Sequence, residues 1–487
     1  MKIKFYWLLL VLFLSHIYAF EKQKDGILLH LKKVKEHDAQ LLKIQIVDDN
    51  IIHVIASPKN SFSNRESLII EKRKLKPASW TAEEKNEFIE IVTSKLIVRV
   101  KSDNGKISFY SKDGKLILNE SANDSKIISP AVVMGEQTYH IQQIFDSPEN
   151  EAFYGLGAHQ NGIMNYKGHD VDLWQYNIVD VIPFLVSSKN YGILWDNYSR
   201  TKFGDIRNYQ SLPEVFKLYD KNGNQGGLTA EYFTDENFQN LFYSQTESKI
   251  EHEFLDKNDP FPPGFNEHVK SVRWSGEIEC IKAGTNKLRL YCSGYTKMWI
   301  DDSLVVDSWR QNWLPWTHFQ KINMKEGERH KIKIEWIHSG GYIGLKALTP
   351  SDVDYNKLLS LYSEVGDQID YYFIYGKNLD EVIHGYRTLT GKTPMMPKWA
   401  MGLWQCRERY KTQDELISIV KEFRERKIPL DNIVQDWFYW KENQWGSHEF
   451  DKERYPDPAK MVKDLHEISC KNYDICLAQV LCWNKTL

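Results

Sequence analysis

Short runs in which apolar and polar residues alternate fill the first part of the chain. Three of them are "LLKIQIVDDNIIHVIAS" (41–57), "EFIEIVTSKLIVRV" (87–100) and "KISFYSKDGKLILNE" (106–120). A period of two is typical of strands that bury one face. Asp113-Gly114 indicates a tight hairpin, because glycine accepts the positive φ that such turns need. The pattern predicts an antiparallel β-sandwich over residues 20–225.

One stretch inside this region lacks the alternation. "FYGLGAHQNGIMNYKGHDVDLWQYN" (153–177) is rich in Gly, Asn, Asp and aromatic residues. We expect an ordered loop there rather than a strand. Polar and aromatic loops on a rigid sheet are common places for ligand binding.

A second β region interrupts the first. The turn-forming run "DKNGNQGG" (220–227) precedes new strand patterns, among them "TNKLRLYCSGYTKMWIDDSLVVDSW" (285–309) and "RHKIKIEWIHSGG" (329–341). We predict a separate β domain at 226–350, inserted into the sandwich. The sandwich then resumes over 351–395 with a strand and a short helix in "DQIDYYFIYGKNLDEVIHGYRTLTG" (367–391).

Past Pro397 the pattern changes to strands that alternate with helices. "WAMGLWQC" (399–406), "DNIVQD" (431–436) and "YDICLAQVLCW" (473–483) are the predicted strands. Thr412 to Glu415 has the form of a capping box, in which Glu415 reaches back to the N-cap, and Asp457-Pro458 starts a second helix. This alternation predicts a parallel sheet over residues 396–487, either open or closed into a barrel.

Composition and charge narrow the ligand class. The chain has 487 residues, 42% of them apolar, and a net charge of −3, which gives no general attraction for nucleic acid. Aromatic residues make up 13% of the chain and supply flat faces for stacking. A neutral or small ligand fits this balance, while the oligomeric state is left open.

The N-terminus has the form of an export signal. Lys2 and Lys4 precede an apolar run from Phe5 to Leu14, and Ala19 suits cleavage, so residues 1–19 are predicted to be a signal peptide. The run is shorter than the roughly 20 residues that span a bilayer, which makes a retained membrane anchor the weaker alternative. The sequence predicts a periplasmic or extracellular protein.

Cysteines and acids give no strong metal signal. No HExxH motif and no zinc-type spacing occurs, so we expect no metal of that kind and no cofactor. The six cysteines form no disulfide framework, although a Cys280–Cys292 bridge is an open alternative in an oxidising compartment. Asp301-Asp302 is either a calcium ligand pair or an acidic turn.

The strongest chemical signal is the segment "DNIVQDWFYWKENQW" (431–445). Asp436 follows a predicted parallel strand, and ligands bind at the carboxyl ends of such strands. Trp437, Trp440 and Trp445 follow it, which suits a sugar that stacks on rings and donates hydroxyls to a carboxylate. A capping or loop role for the acid and a packing role for each Trp are the alternatives. No GxSxG motif points to a nucleophilic triad.

These segments together resemble a known family. Residues 399–467 look like the opening of the catalytic barrel of family 31 glycoside hydrolases. Residues 154–177 and "PFLVSSKNYGILWDNYSRTKFGD" (183–205) are similar to the sandwich of its α-xylosidase branch. The insertion resembles a PA14 domain through "GLTAEYFTDENF" (227–238), "MWIDDSLVVD" (298–307) and "IKIEWIHSGG" (332–341).

The resemblance implies a fold class and an activity. The fold would be mainly β, a mutarotase-like β-sandwich with an inserted PA14-like β domain, followed by the first part of a (β/α)8 barrel. The activity would be that of a retaining, exo-acting α-glycosidase, an α-xylosidase on xyloglucan-type oligosaccharides, with α-glucosidase specificity as the alternative. The substrate-binding residues so implied are Asp436, Trp437, Trp440, Trp174, Gln175 and Asn177.

The chain departs from the family at its end. Such a barrel takes roughly 250 residues, and about 90 follow Pro397. The two catalytic aspartates that the resemblance implies lie on later strands, so we assign no catalytic residue and expect this chain to be inactive alone. A secreted carbohydrate-binding protein without catalysis is the second hypothesis, and a PA14-like domain that serves protein or surface contacts is the third.

Overall fold

The computed structural model describes residues 20–72, 78–122, 124–159, 161–175, 179–252, 268–312, 314–338, 341–437, 439–444 and 446–469, and the backbone of 471–474. The chain forms two compact units, Met1–Gly391 and Lys392–Leu487. The proposed signal peptide, Asn177 and Trp445 lie outside the described residues.

The first part of the chain forms antiparallel strands, as the alternation predicts. They are β1 Glu21–Lys22, β2 Gly26–His30, β3 Leu41–Asp48, β4 Ile51–Ser57, β5 Thr81–Lys85, β6 Phe88–Val92, β7 Leu96–Lys101, β8 Ile107–Ser111, β9 Leu116–Glu120, β10 Lys126–Val133, β11 Glu136–Asp146, β12 Phe153–Ala158, β13 Val171–Leu173, β14 Asp180–Ser187, β15 Tyr191–Trp195 and β16 Thr201–Phe203.

The next strands belong to the inserted domain. They are β17 Gln210–Ser211, β18 Phe216–Asp220, β19 Leu228–Phe233, β20 Leu241–Glu247, β21 Ile250–His252, β22 Ser271–Cys280, β23 Gly284–Cys292, β24 Gly294–Ile300, β25 Ser303–Arg310, β26 Trp316–Met324, β27 Arg329–Ile337 and β28 Ile343–Leu348, with the short helix α1 Leu212–Val215 between the first two.

The chain then returns to the first sandwich. A 3-10 turn, Tyr355–Lys357, leads into β29 Leu358–Gly366 and β30 Ile369–Tyr375, which are followed by helix α2 Leu379–Thr390. In the described residues one sheet has the order β1-β2-β3-β4-β30-β15-β14-β12, and the other β13-β16-β29-β11-β9-β8-β7-β6-β5, with β10 beside β11. The predicted return of the sandwich is confirmed, since β29 and β30 each complete one sheet.

The hairpin prediction at Asp113-Gly114 is confirmed. β8 and β9 pair antiparallel, Gly114 has φ of 85°, and its amide donates to the carbonyl of Ser111 over 2.9 Å. The alternating residues of these strands, such as Phe109, point into one buried core between the two sheets.

The loop prediction for residues 153–177 is partly wrong, because β12 and β13 lie within it. Gly155 and Gly157 have φ of 98° and 99°, and a Cβ on Gly157 would lie 1.9 Å from the carbonyl oxygen of Asp180. The strand therefore needs glycines to approach β14 around a bulge. These glycines remove the alternation on which the prediction depended.

The inserted domain is a second sandwich that begins before the predicted boundary at Gly226. Its sheets have the orders β17-β28-β23-β26, with β21 beside β28, and β20-β19-β22-β27-β24-β25, with β18 beside β22. β17 and β18 join these sheets because the apolar side of "FKLYD" (216–220) packs into a separate core around Trp274 and Trp336. The turn at 220–227 is thus internal to the domain.

Geometry bears on two open alternatives in this domain. Cys280 and Cys292 are free, buried thiols, so the bridge is not formed. Asp301 and Asp302 occupy the turn between β24 and β25 with φ of 48° and 64°. Asp301 accepts from the amide of Lys331 over 3.0 Å and is hydrogen-bonded to His330, which agrees with the acidic-turn alternative.

Glu279 gives the inserted domain a pH-dependent contact. Its carboxylate accepts from Lys217, Tyr219 and Arg329 over 2.9, 2.9 and 2.8 Å, and these bonds lower its pKa from 4.5 to about 2. Because the folded pKa lies below the unfolded one, this stabilisation is complete above about pH 4.5 and is lost as the pH falls toward 2.

We therefore expect Glu279→Gln to melt at a lower temperature than the parent chain at pH 7. The difference between the two melting temperatures should shrink steadily below pH 4.5, as the parent carboxylate becomes protonated. Calorimetric scans of both proteins from pH 7 to pH 2.5 measure it. A difference that stays constant over that range would contradict the assignment.

The second unit has the parallel sheet predicted for residues 396–487. After a 3-10 turn, Lys398–Met401, it contains β31 Trp404–Gln405, helix α3 Gln413–Glu425, β32 Asn432–Gln435, helix α4 Pro458–Glu467 and β33 Lys471–Asp474. β32 pairs parallel with both other strands. The strand predicted at 399–406 is shorter than expected, and most of the one predicted at 473–483 lies outside the described residues.

Both predicted helix starts are confirmed. Thr412 Oγ accepts from the amide of Glu415 over 3.1 Å, and Asp457 accepts from that of Lys460 over 2.9 Å. Glu415 reaches back to the amide of Lys411 over 2.6 Å, one residue before the expected N-cap amide. In the described part of the chain, no helix is long and apolar enough to cross a membrane.

Candidate functional site

Asp436 lies at the carboxyl end of the central strand of the parallel sheet. β32 is fully buried from Asn432 to Gln435, and the chain leaves the sheet at Asp436, whose side chain is half-buried. Parallel strands end at the same edge of a sheet, and this edge is where ligands bind in such folds. The placement predicted from the sequence is therefore the one that the structure has.

The Asp436 carboxylate has one oxygen turned to the backbone and one turned to a thiol. Oδ1 accepts from the amide of Trp437 over 2.6 Å, and Oδ2 lies 3.8 Å from Sγ of Cys406. Cys406 follows β31, so the ends of two neighbouring strands meet here. Burial, and then the nearby charge of Asp436, raise the pKa of the Cys406 thiol. The thiol is therefore protonated at neutral pH and serves as a weak donor.

The strand end rests on a buried polar support. The Gln435 amide donates to the carbonyls of Tyr410 and Asp436 over 3.5 and 3.3 Å, and the hydroxyl of Tyr455 donates to the same Tyr410 carbonyl over 2.6 Å. Tyr410 and Tyr455 are both buried. These bonds tie the end of β32, at Gln435 and Asp436, to the buried backbone at Tyr410.

Two of the tryptophans beside Asp436 differ in exposure. Trp437 is half-buried, and the guanidinium of Arg409 lies 5.0 Å from its ring. Trp440 is completely buried and packs in the core of this unit, with the ring of Tyr439 at 5.1 Å. Trp437 is thus placed where a ligand can reach it, whereas the position of Trp440 agrees with the packing alternative.

The predicted residues of the sandwich lie in the other unit. Trp174 is 56% exposed just after β13, with the guanidinium of Arg200 5.1 Å from its ring. The Gln175 amide donates to the carbonyl of Val179 and accepts from the amide of Val181 over 2.9 Å. Gln175 therefore ties the end of β13 to the start of β14, and more than half of the surface of Trp174 is exposed beside it.

Cys406 is the site residue that the sequence reasoning missed. The predicted strand "WAMGLWQC" ends at this residue, so its place at the carboxyl end of a parallel strand was a usable signal. A thiol next to a carboxylate also gives the site a chemical reporter, because only the thiolate reacts with alkylating agents.

We expect Asp436→Asn to speed the alkylation of Cys406 by iodoacetamide at pH 7.5 by about three- to tenfold. Removing the carboxylate charge lowers the thiol pKa, and one pKa unit is tenfold in thiolate fraction. Mass spectrometry of the peptide that contains Cys406 gives the rate separately from the other cysteines. Asp464→Asn on α4, whose partner is Lys460, is the matched control. Equal rates in all three proteins would contradict the contact.

Three protein families match the chain. Residues 41–203 match the glycosyl hydrolase 31 N-terminal galactose mutarotase-like domain, residues 223–360 the PA14 domain, and residues 393–481 the glycosyl hydrolases family 31 TIM-barrel domain. Their order along the chain is the one that the sequence motifs predict.

Two similar proteins are both described as alpha-xylosidases. An alpha-xylosidase of Saccharolobus solfataricus is 27% identical over 444 residues, which are 88% of this chain and 39% of that protein. The crystal structure of a GH31 alpha-xylosidase from Xanthomonas citri is 40% identical with a TM-score of 0.83, and the match covers 93% of this chain and 49% of that one. This chain therefore spans half or less of the length of these relatives.

A more distant structure shares the fold. It is a GH31 alpha-xylosidase from a soil metagenome complexed with xylose, 19% identical with a TM-score of 0.53, and the match covers 93% of this chain and 46% of that one.

Proposed function

Because this chain belongs to glycoside hydrolase family 31, we propose that it recognises the terminal α-linked xylosyl residue of xyloglucan-type oligosaccharides, as part of a retaining, exo-acting α-glycosidase. The observation that carries the proposal is the half-buried carboxylate of Asp436 at the end of the central parallel strand, beside Trp437 and Cys406. It accepts hydrogen bonds from sugar hydroxyls, and the Trp437 ring covers an adjoining apolar face of the sugar.

The remaining residues of the proposal have different roles. Trp174 presents an exposed ring in the loop after β13, which suits stacking on a sugar. Gln175 links the position of Trp174 to the start of β14 through its two backbone bonds. Trp440 acts from beneath the site, by packing under the segment that carries Asp436 and Trp437.

Hydrolysis needs more than Asp436. Retaining glycosidases use two carboxyl groups about 5–5.5 Å apart, one as nucleophile and one as acid and base. No residue of the sequence given is assigned to either role. For the 487-residue chain the proposal is therefore binding of the sugar without turnover.

The test of this proposal is an assay with an aryl α-D-xyloside and the purified chain. We expect no release of the aryl alcohol above that of Asp436→Ala, although methyl α-D-xyloside binds to the parent chain. Release that Asp436→Ala abolishes would overturn the claim of binding without turnover. If no sugar binds at all, recognition itself is wrong.

Specificity is tested by competition between two glycosides. Methyl α-D-xyloside should bind at least about tenfold more tightly than methyl α-D-glucoside, because a site shaped for a pentose excludes the extra CH₂OH group, and discrimination of this kind is worth about 1–3 kcal/mol. Equal affinities would favour the α-glucosidase alternative.

The last part of the proposal is that the protein is exported from the cytoplasm. Lys2, Lys4 and the apolar run from Phe5 to Leu14 support a signal peptide that ends at Ala19. N-terminal sequencing of the protein recovered outside the cytoplasm should begin at Phe20. A protein that keeps its first residues inside the cell would contradict this part.

A further inference from the structure

The first sandwich has a small polar cavity on the sheet that contains β4, β30 and β15. The cavity has a volume of about 240 Å³ and lies over β4 and β30, with the segment 62–67 as one wall. Ser63 connects this wall to the start of β30 by two hydrogen bonds. Its amide donates to Gln368 over 2.9 Å, and its hydroxyl donates to Asp367 over 2.9 Å. We call this space the sandwich cavity.

The floor of the sandwich cavity is a rigid His53–Asp370 pair. The His53 ring stacks on Tyr372 with centroids 3.9 Å apart, and its Nε2 lies 2.6 Å from Asp370. Its Nδ1 lies 3.0 Å from the Gln45 amide oxygen, and the Gln45 amide nitrogen donates to Asp25 over 2.5 Å. Both ring nitrogens therefore face acceptors.

A second carboxylate, Asp196, stands beside this pair. It is 8% exposed, and its amide donates to the backbone carbonyl of Asp370 over 3.0 Å. Burial is the main cause that raises the pKa of Asp196, and the charge of Asp370 adds to it. Two carboxylates in different surroundings thus line one small space, which is typical of sites that bind or process a ligand.

The rim of the sandwich cavity supplies donors. Arg65 is exposed and lies 4.7 Å from the ring of Tyr198, and Lys43 also lines the cavity. A packed apolar cluster would stabilise this part of the sandwich better than the buried Asp196 and the half-buried Asp370 do, since removing a charge from water costs several kcal/mol. The polar lining therefore indicates a use other than stability.

The chemistry of the lining selects the ligand. Among the described residues no group of three or more His, Cys, Asp and Glu side chains is placed to hold a metal ion. Acceptors on the floor and donors on the rim match a neutral molecule with several hydroxyl groups. The volume is below the roughly 300–1,000 Å³ of sites for drug-sized ligands, which limits the ligand to about one sugar ring.

We propose that the sandwich cavity binds one free aldose of five or six carbons, with Asp196 and Asp370 as acceptors and Arg65 as a donor at the rim. His53 acts as a positioning residue that orients Asp370. All of the residues that line this cavity belong to the first unit.

The test measures binding of D-xylose and D-glucose by saturation-transfer NMR to the Asp436→Asn chain, in which the other proposed site is weakened. Millimolar binding of at least one sugar is expected to persist there. Asp196→Asn in that background should weaken it at least about tenfold, and Arg65→Met about threefold, by loss of hydrogen bonds. Asp307→Asn, which is exposed on β25, is the control and should change nothing.

Each outcome decides the proposal. Loss of all binding in Asp436→Asn alone, or affinities that Asp196→Asn and Arg65→Met leave unchanged, would overturn it. So would binding of putrescine in place of the sugars, because the cavity would then be a cation site. If Asp196→Asn does not fold by circular dichroism, Arg65→Met decides, since its side chain is exposed and its replacement leaves the core intact.

Discussion

Asp436→Asn is expected to weaken the binding of methyl α-D-xyloside to the chain by about ten- to a hundredfold. A carboxylate that accepts one or two hydroxyl hydrogen bonds contributes about 1.5–3 kcal/mol for each, and the amide keeps the shape of the side chain but not its charge. Because Asp436 is half-buried and outside the core, the fold should survive the change. Calorimetric titration of the parent chain and the variant gives the two affinities.

The control for this experiment is Asp464→Asn. The Asp464 carboxylate lies on α4 and pairs with Lys460, so the affinity of this variant for methyl α-D-xyloside should equal that of the parent chain. Circular dichroism of all three proteins separates a lost contact from a lost fold. An Asp436→Asn chain that binds as tightly as its parent would show that Asp436 is a loop acid with no part in recognition.

Lys126→Met is expected to destabilise the first sandwich by about 3–5 kcal/mol, the usual cost of removing one partner of a buried ion pair. Lys126 is 7% exposed and pairs with Glu120, which is fully buried. Glu120 also accepts from the amide of Ile107 over 3.1 Å and from the hydroxyl of Tyr371 over 3.2 Å. Methionine leaves this carboxylate in the core without a cation.

Hydrogen exchange of peptides from β7 to β9 measures the loss, since these strands surround the pair. Lys101→Met is the matched control, because Lys101 lies at the surface with ion pairs of 3.5 and 3.6 Å and should cost less than about 1 kcal/mol. A double change, Lys126→Met with Glu120→Leu, should recover part of the lost stability. Equal exchange in Lys126→Met and Lys101→Met would contradict the buried pair.

Local signals explain what the sequence predicted well. The hairpin at Asp113-Gly114 and the two helix starts at Thr412 and Asp457 depend on neighbouring residues alone, and the structure has all three. The motifs also identified family 31 and the PA14 insertion, which the matching families confirm. The position of Asp436 followed from a strand and its end, both of which are visible in a short window.

The features that the sequence did not predict depend on tertiary contacts. β12 depends on the close approach of Gly155 and Gly157 to a strand that follows much later. Trp440 is buried in one core with residues of helices α3 and α4, which come from two separate segments of the chain. The sandwich cavity joins β4 with β30, whose residues are more than 300 positions apart, so no local pattern brings His53 to Asp370.

The most direct measurement of the central claim is a crystal structure of the 487-residue chain soaked with methyl α-D-xyloside. We expect a sugar at the carboxyl end of β32, with a hydroxyl about 2.6–3.2 Å from the Asp436 carboxylate and its ring beside Trp437. Clear density for the sugar at another place, with no contact to Asp436 at a concentration that saturates binding, would contradict it.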